Sequence, residues 1–356
     1  MLPAGSTIGI IGGGQLGRML AMAAARLGYR VAILEPAADC PAAQVANFHI
    51  CAAYDDPEAL GELAGISSVV TYEFENVPVE AAEKLGQSRP VLPPPMALRK
   101  AQDRLVEKSF LNDSGIPTAE FRAVDSDRDL ADALAAFGGS GVLKTRRLGY
   151  DGKGQRIFRD ATRSDIDGVF AGMGGVPLIL EALVPFTKEI SVIAARTADG
   201  SVRTYDPAEN VHRDGILRSS TLPAAILPST ASDARNFAEK LMNALEYVGV
   251  AGLEFFVLDG GKLLANEFAP RVHNSGHWTE AACVISQFEQ HIRAIAGLPL
   301  GDTGRHSNCV MENLIAEEIE KLPMLAAETG VFLHHYGKTQ VREGRKMGHF
   351  TRLRPL

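Results

Sequence analysis

Two glutamates, Glu254 and Glu267, stand in apolar runs that flank one turn, and their spacing brings them within reach of a single cation. Residues 253–258 and 262–268 are apolar-rich and are separated by Asp259, Gly260 and Gly261, the pattern of a β-hairpin whose two-residue turn is Gly260 and Gly261. That register sets Asp259 against Lys262 and, counted up the ladder, Glu254 against Glu267, with Cβ atoms about 5 Å apart on one face. Paired carboxylates repel. A sheet accepts them more readily with Mg²⁺ between them, the arrangement of phosphoryl-transfer sites in which carboxylates and substrate phosphates share the ion. The bland alternative is an exposed strand whose acids splay into solvent, and a turn at Asp259 and Gly260 would break the pairing.

A second cluster is cationic. Lys144 lies in a strand-like run, residues 142–145, which enters Arg146, Arg147, Leu148, Gly149, Tyr150, Asp151, Gly152, Lys153, Gly154 and Gln155. Glycines let backbone N–H groups turn toward phosphate oxygens, and cations offset the charge, so this stretch reads as a lid over a nucleotide triphosphate. Taken one residue at a time it is equally a solvated hairpin tip. No G-x-x-x-x-G-K-[ST] occurs in the chain, so a triphosphate here is held without a Walker A loop.

Near the N-terminus, the strand-like residues 7–11 run into Gly12, Gly13, Gly14, Gln15, Leu16 and Gly17, then a helical pattern over 18–27 and a second strand over 30–34 that ends at Glu35. G-x-G-x-x-G in this setting, with an acid about 20 residues on, fits a dinucleotide. The same glycines equally serve only a tight turn and close helix packing, with the helix N-terminus open to any anion. Glu73, Glu75 and Asn76 follow the strand 68–72, where open α/β sheets place ligands, although a charged loop explains them too. His273 and His277 are four apart, but Asn274 and Gly276 argue for a loop there rather than a helical zinc pair. Cys40, Cys51, Cys283 and Cys309 lack Cys-x-x-Cys spacing and read as reduced, packed thiols of a cytosolic protein.

These residues need two kinds of scaffold. Strand and helix patterns alternate up to the proline-rich residues 89–95, which end a first domain near residue 97. A long helix is expected over 96–114. Strand patterns follow at 178–184, 189–195, 202–205 and 210–217, the last holding His212 and Arg213; helices are expected at 231–247 and 283–296. The middle is therefore antiparallel-looking and of another class than the start. The chain's 356 residues suffice for two or three domains. A net charge of −7 and a pI near 5.8 argue against a nucleic-acid binder with a broad basic face. The N-terminus lacks the layout of a signal peptide, and no run approaches the 18 or so apolar residues of a membrane span.

The glycine-rich start, the basic lid and the paired acids with Asn266 together resemble the ATP-grasp superfamily. The ordered fragments GGGQLGRM, TYEFENV, LGYDGKGQ, ENVHRDGI, LANEFAPRVHNSGHWT and GRKMGH are similar, from end to end, to the N5-carboxyaminoimidazole ribonucleotide synthetases of purine biosynthesis. The resemblance implies a mixed α/β and α+β architecture: a Rossmann-like domain over 1–97, an ATP-grasp domain with a lid subdomain over 98–296, and a C-terminal domain over 297–356 that completes the substrate site. It implies a cytoplasmic, homodimeric ligase using ATP and Mg²⁺. That enzyme carboxylates the exocyclic amine of 5-aminoimidazole ribonucleotide with bicarbonate, through carboxyphosphate and without a protein nucleophile, and has no nucleic-acid or membrane partner.

The same resemblance gives Arg104 and Lys144 to the ATP phosphates and Gly149, Tyr150, Asp151, Gly152, Lys153, Gly154 and Gln155 to the lid. Glu181, Ala182, Leu183 and Val184 go to the adenine, Glu189 to the ribose, His212 to the nucleotide site, and Glu254 and Glu267, with Asn266 beside them, to Mg²⁺. The ribonucleotide falls to Gln15, Leu16, Glu73, Tyr150, Asp151, Lys338 and Arg345, and bicarbonate with its activated form to Arg271, His273 and Asn274. Two positions depart from the pattern: Ala316 stands where glycine is expected, and position 104 is Arg where many ATP-grasp proteins outside this branch have Lys. The rival readings are a nicotinamide-dependent oxidoreductase, which leaves Lys144 and the paired acids unexplained, and a formate-using glycinamide ribonucleotide transformylase. A non-enzymatic nucleotide-binding regulator is a third.

Overall fold

The computed structural model describes residues 1–149 and 154–356, and the strands among them form three sheets. The first is parallel, with β1 (Thr7–Ile11), β2 (Arg30–Leu34), β3 (Phe48–Ile50) and β4 (Val69–Tyr72) in the order β3-β2-β1-β4. Its central strands are apolar on both faces, as covered parallel sheets require. Helix α1 (Gln15–Arg26) buries Met19 and Leu20, while α2 (Pro57–Ile66) and α3 (Val79–Gly86) bury Leu60, Leu63 and Leu85.

The single helix expected over 96–114 is two helices, α4 (Pro95–Ala101) and α5 (Arg104–Asp113). Asp103 separates them because its carboxylate accepts from the Leu105 and Val106 amides as the N-cap of α5. That local bond competes with helix continuation. Both Asp103 oxygens also take Arg146, at 3.0 and 2.8 Å, so the cap anchors the residue that follows the 141–145 strand.

A small antiparallel sheet follows, of β5 (Phe121–Val124), β6 (Gly141–Thr145), β7 (Gln155–Phe158) and β8 (Leu178–Ala182), ordered β5-β8-β6-β7. The helix Asp127–Ala136 covers it through Leu130, Ala133 and Leu134. The third sheet holds β9 (Lys188–Arg196), β10 (Val202–Thr204), β11 (Ala208–Arg213), β12 (Ile216–Leu222), β13 (Gly249–Val257), β14 (Leu263–Ala269), β15 (Asn308–Ile315), β16 (Val331–His335) and β17 (Lys346–Arg354). Its order is β14-β13-β9-β11-β12-β15-β17-β16, with β10 added on β9. The run 210–217, expected as one strand, reverses between β11 and β12 at Asp214 and Gly215, both at positive φ, a hairpin-turn signature. The helix expected over 283–296 is Gln287–Ile295, capped by the Ser286 hydroxyl, with a short helix Thr279–Ala282 before it.

The helix Gln287–Ile295 joins the parallel sheet to the large one. His291, fully buried on it, accepts the Val250 amide of β13 at Nδ1 (3.1 Å), which leaves its proton on Nε2 to bond Thr71 Oγ1 of β4 (2.8 Å). Burial pushes its pKa down to about 3. The folded protein therefore holds a neutral ring that the unfolded chain protonates near pH 6.5, so the stability this site confers is complete above that pH and lost as pH falls toward 3. His291→Gln is expected to flatten the loss of thermal stability between pH 7 and pH 5 by about 2 kcal/mol relative to wild type. Thermal melts across that range with equal slopes for the two proteins would refute this.

Candidate functional site

The turn of the β13–β14 hairpin has three residues, not two. Asp259, Gly260 and Gly261 form a 3-10 turn closed by Leu258 N–H to Lys262 O (2.8 Å), and both glycines are at positive φ. The ladder starts one residue out of the expected register, with Val257 opposite Leu263 and Phe255 opposite Ala265, then recovers it at Leu253 opposite Phe268. The recovery is a bulge. Glu254 thus opposes Asn266 and Glu267 together instead of pairing with Glu267 alone, and a bulge of this kind re-aims side chains. The electrostatics of the paired acids survive this correction: burial, then the charge of Glu267, pushes the Glu254 carboxyl up to about 7.

His273 Nε2 lies 3.3 Å from Glu254 Oε1. Its Nδ1 accepts from the Ser275 amide and meets the Ser275 hydroxyl at 2.8 Å. Burial and the positive charges of Arg271 and Lys346 hold its pKa near 3, so the ring is neutral and Nε2–H faces the carboxylate. His277 is elsewhere, fully buried against Gln287, and residues 274–276 between the two histidines form a short 3-10 turn in place of the expected loop. The buried His334, Tyr336 and His349 lie beyond it with the partly exposed Glu280, His334 Nδ1 being 3.1 Å from Glu280 Oε2 and Tyr336 OH 2.9 Å from His349 Nδ1.

Helix α5 supports the hairpin from below with two residues that sequence reading missed. Glu107 accepts the Phe268 amide (2.7 Å), and burial together with Glu267 raises its pKa to about 8. Lys108 donates to the Asn266 carbonyl at 3.0 Å and pairs with Glu181 Oε2 at 3.1 Å. The signal was available: Arg104, Glu107, Lys108 and Leu111 share one helical face, so charges flank a position that had to be buried. Glu181 Oε1 is 3.1 Å from Lys144 Nζ, and the two lysines outweigh burial and lower its pKa. Arg104 donates to the carbonyls of Thr145 (3.3 Å) and Gly149 (2.8 Å). Ala182 ends β8, and Leu183 and Val184 lead out of it; Gly154 and Gln155 open the return strand, with Gln155 opposite Lys144. Tyr150, Asp151, Gly152 and Lys153 lie outside the described residues.

On the other side of the hairpin, His212 Nδ1 is 3.2 Å from Glu189 Oε2, and this bond with the Glu254 charge raises the imidazole pKa against the effect of burial. Arg271 pairs with Glu75 at 2.5 Å; its charge overrides burial and holds Glu75 at about 2. Asn274 and Asn313 exchange amide hydrogen bonds of 3.0 and 2.6 Å. Lys338 Nζ donates to Lys346 O (2.7 Å), and Arg345 donates to Gln340 O (2.7 Å).

The glycine turn is occupied from within. Glu73 accepts the Gly14 amide at 2.6 Å and the Gly17 amide at 2.9 Å, and burial raises its pKa despite them. Glu35, the acid a dinucleotide reading assigns to ribose, instead accepts Gly13 N–H (2.9 Å) and Tyr54 OH (2.5 Å). Gly13 serves close packing, since a Cβ there would lie 2.5 Å from Cys40 Sγ. Gln15 and the buried Leu16 open α1 beside Glu73.

Charge influence runs unbroken across these groups: Arg271 feels Glu75, Glu73 and Glu267, while Glu254 feels Glu267, His212 and Glu189. The hairpin carboxylates meet the Arg271–Asn274 segment through His273 and Glu254, and Lys144 joins them through Glu181 and Lys108, which holds the Asn266 carbonyl.

The chain is similar to known proteins along its whole length. The ribonucleotide synthetase preATP-grasp domain family matches residues 5–102, the ATP-grasp domain family residues 109–288, and the phosphoribosylaminoimidazole carboxylase C-terminal domain family residues 309–355. The N5-carboxyaminoimidazole ribonucleotide synthase of Brucella melitensis is 65% identical over 99% of this chain and 98% of its own length. A solved N5-carboxyaminoimidazole ribonucleotide synthetase in complex with ADP superposes with a TM-score of 0.95 at 44% identity, covering 99% of this chain and 93% of that one. An N5-carboxyaminoimidazole synthase from Aspergillus clavatus, solved with ADP and 5-aminoimidazole ribonucleotide, gives 0.92 at 31% identity, covering 99% and 94%. With identity of this level along its whole length, the chain belongs to the N5-carboxyaminoimidazole ribonucleotide synthase family of ATP-grasp enzymes.

Proposed function

We propose that this chain is an ATP-dependent carbon–nitrogen ligase that carboxylates the exocyclic amine of 5-aminoimidazole ribonucleotide, with bicarbonate as the carbon source and ADP and phosphate as co-products. The observation that carries it is the run of contacts around the hairpin, with His273 Nε2 3.3 Å from Glu254, Lys108 3.0 Å from the Asn266 carbonyl and Glu181 3.1 Å from both Lys108 and Lys144, which supports nucleotide phosphates and bicarbonate lying side by side.

Arg104 and Lys144 offset the ATP phosphates beneath the lid of residues 149–155, backbone groups of Glu181, Ala182, Leu183 and Val184 line the adenine, and Glu189 with His212 takes the ribose side. Glu254 and Glu267 suit Mg²⁺: they are hard oxygen donors, and burial with mutual repulsion leaves Glu254 a reluctant carboxylate. When bound there, Mg²⁺ offsets charge on the β- and γ-phosphates. Arg271 and Asn274 orient bicarbonate so that its oxygen attacks the γ-phosphorus; the bond from that phosphorus to the bridging oxygen breaks, ADP leaves, and carboxyphosphate forms. Neutral His273 donates toward Glu254 and adds no positive charge. The ribonucleotide, held by Gln15, Leu16, Glu73, Tyr150, Asp151, Lys338 and Arg345, then delivers its amine to the activated carbon, and phosphate leaves. The closed lid excludes water, which would otherwise consume carboxyphosphate.

On the same reading the enzyme is a cytoplasmic homodimer divided into residues 1–97, 98–296 and 297–356; no helix among the described residues is long and apolar enough to cross a membrane. The test is phosphate release from MgATP and bicarbonate, with and without aminoimidazole ribonucleotide. Stimulation by that ribonucleotide with a carboxylated product is the expected result. No stimulation would sink the substrate assignment and direct attention to formate with glycinamide ribonucleotide.

A further inference from the structure

We infer that Lys108 is a positioning residue for nucleotide binding: it keeps Glu181 neutralised when Lys144 leaves that carboxylate for the phosphates of ATP. The inference rests on the nucleotide-site reading above and adds to it a residue that touches no ligand.

Glu181 sits between two lysines, each 3.1 Å from one of its oxygens. The two cations are not equivalent. The Lys108 side chain is 2% exposed and is also tied to the Asn266 carbonyl at 3.0 Å, under the hairpin that carries Glu267. The Lys144 side chain is 17% exposed, stands on β6 where the lid begins, and meets a buried Glu181 Oε1 that has no aligned hydrogen bond. Lys144 is therefore the removable partner and Lys108 the fixed one. The triad carries two positive charges and one negative, so it has one cation to spare for an incoming phosphate. When Lys144 turns to the phosphates, the Lys108–Glu181 pair remains whole. Without Lys108 the same movement would strand a buried carboxylate, and a charge left unpaired in the interior is strongly unfavourable. Glu181 would then hold Lys144 back from the nucleotide.

The experiment is calorimetric titration of the full-length protein with ATP and Mg²⁺, with kcat and KM for ATP measured in parallel, on wild type, Lys108→Met and Lys108→Met/Glu181→Gln. Lys108→Met is expected to weaken MgATP binding about ten- to a hundredfold, and the loss should fall mainly in KM, because it arises when the ground-state complex forms. The double variant removes the stranded charge while keeping the backbone at position 181 that lines the adenine, and is expected to recover most of the affinity lost in the single variant. A residue that merely props the Asn266 carbonyl would not be rescued by a change at Glu181. Wild-type affinity in Lys108→Met, or a double variant as weak as the single one, overturns the inference. A wild type that binds no ATP overturns the nucleotide site and the inference together. Failure of aminoimidazole ribonucleotide to stimulate phosphate release strikes the carboxylation reading alone.

Discussion

Glu267→Gln is expected to cut ribonucleotide-stimulated phosphate release at least about a hundredfold, the scale on which supporting a metal alone is felt, without loosening the fold. Glu267 adds repulsion to two buried acids, Glu254 and Glu107. Removing its charge relieves both in the metal-free protein, so the thermal midpoint without Mg²⁺ should stay level or rise, while the gain in midpoint on adding MgATP should shrink. A destabilised variant with normal MgATP stabilisation would mean that Glu267 is a structural acid and the carboxylate wall holds no ion. Full activity in the variant would sink the metal assignment outright.

The second large effect concerns Arg271→Lys. The charge is kept and the planar fork is lost, which isolates geometry from electrostatics. Arg271 is held by Glu75 at 2.5 Å, which on the carboxylation reading fixes the direction from which it would meet bicarbonate; a flexible ammonium does not reproduce that alignment. A fall of about a hundredfold in kcat/KM for bicarbonate is expected, roughly 3 kcal/mol of transition-state stabilisation, with KM for ATP nearly unchanged. Proportional loss on both substrates would place Arg271 with the nucleotide instead.

Much of this site was legible before any coordinates. The alternation of residues 7–35 dictated a parallel sheet with its glycine turn, and the acids at 254 and 267 announced a wall because apolar runs of strand length bracket a glycine pair. The register was right at Leu253 and Phe268 for the wrong reason. A three-residue turn displaced the ladder by one and a bulge at Asn266 and Glu267 restored it; hydrophobic alternation cannot reveal two compensating shifts. The break at Asp103 was missed because the apolar periodicity runs through it, and only the capping chemistry of aspartate marks it. Lys108 was missed because a lysine on a helix defaults to solvent, and its burial depends on Glu181, a residue remote in sequence on a different sheet. That Glu35 takes the Gly13 amide while Glu73 takes those of Gly14 and Gly17 was hidden for the same reason: which acid meets the glycine amides is a matter of three-dimensional reach.

The antiparallel pairing of β15 with β12, Ser219 against Glu312 through Leu222 against Cys309, bears on how this chain can be cut. If the last fifty or so residues were a detachable cap, their removal would leave a folded core with an incomplete pocket. Because they instead continue one sheet, with β15 and β17 interior and β16 at its edge, removal bares a row of unsatisfied amides and carbonyls along β12, with Met311 and Cys309 stripped from the packing beside it. Such an edge templates strand addition from another chain. A protein cut before β15 is thus expected to be an aggregation seed before it is an inactive enzyme, which makes β15 the guard of an otherwise open strand edge.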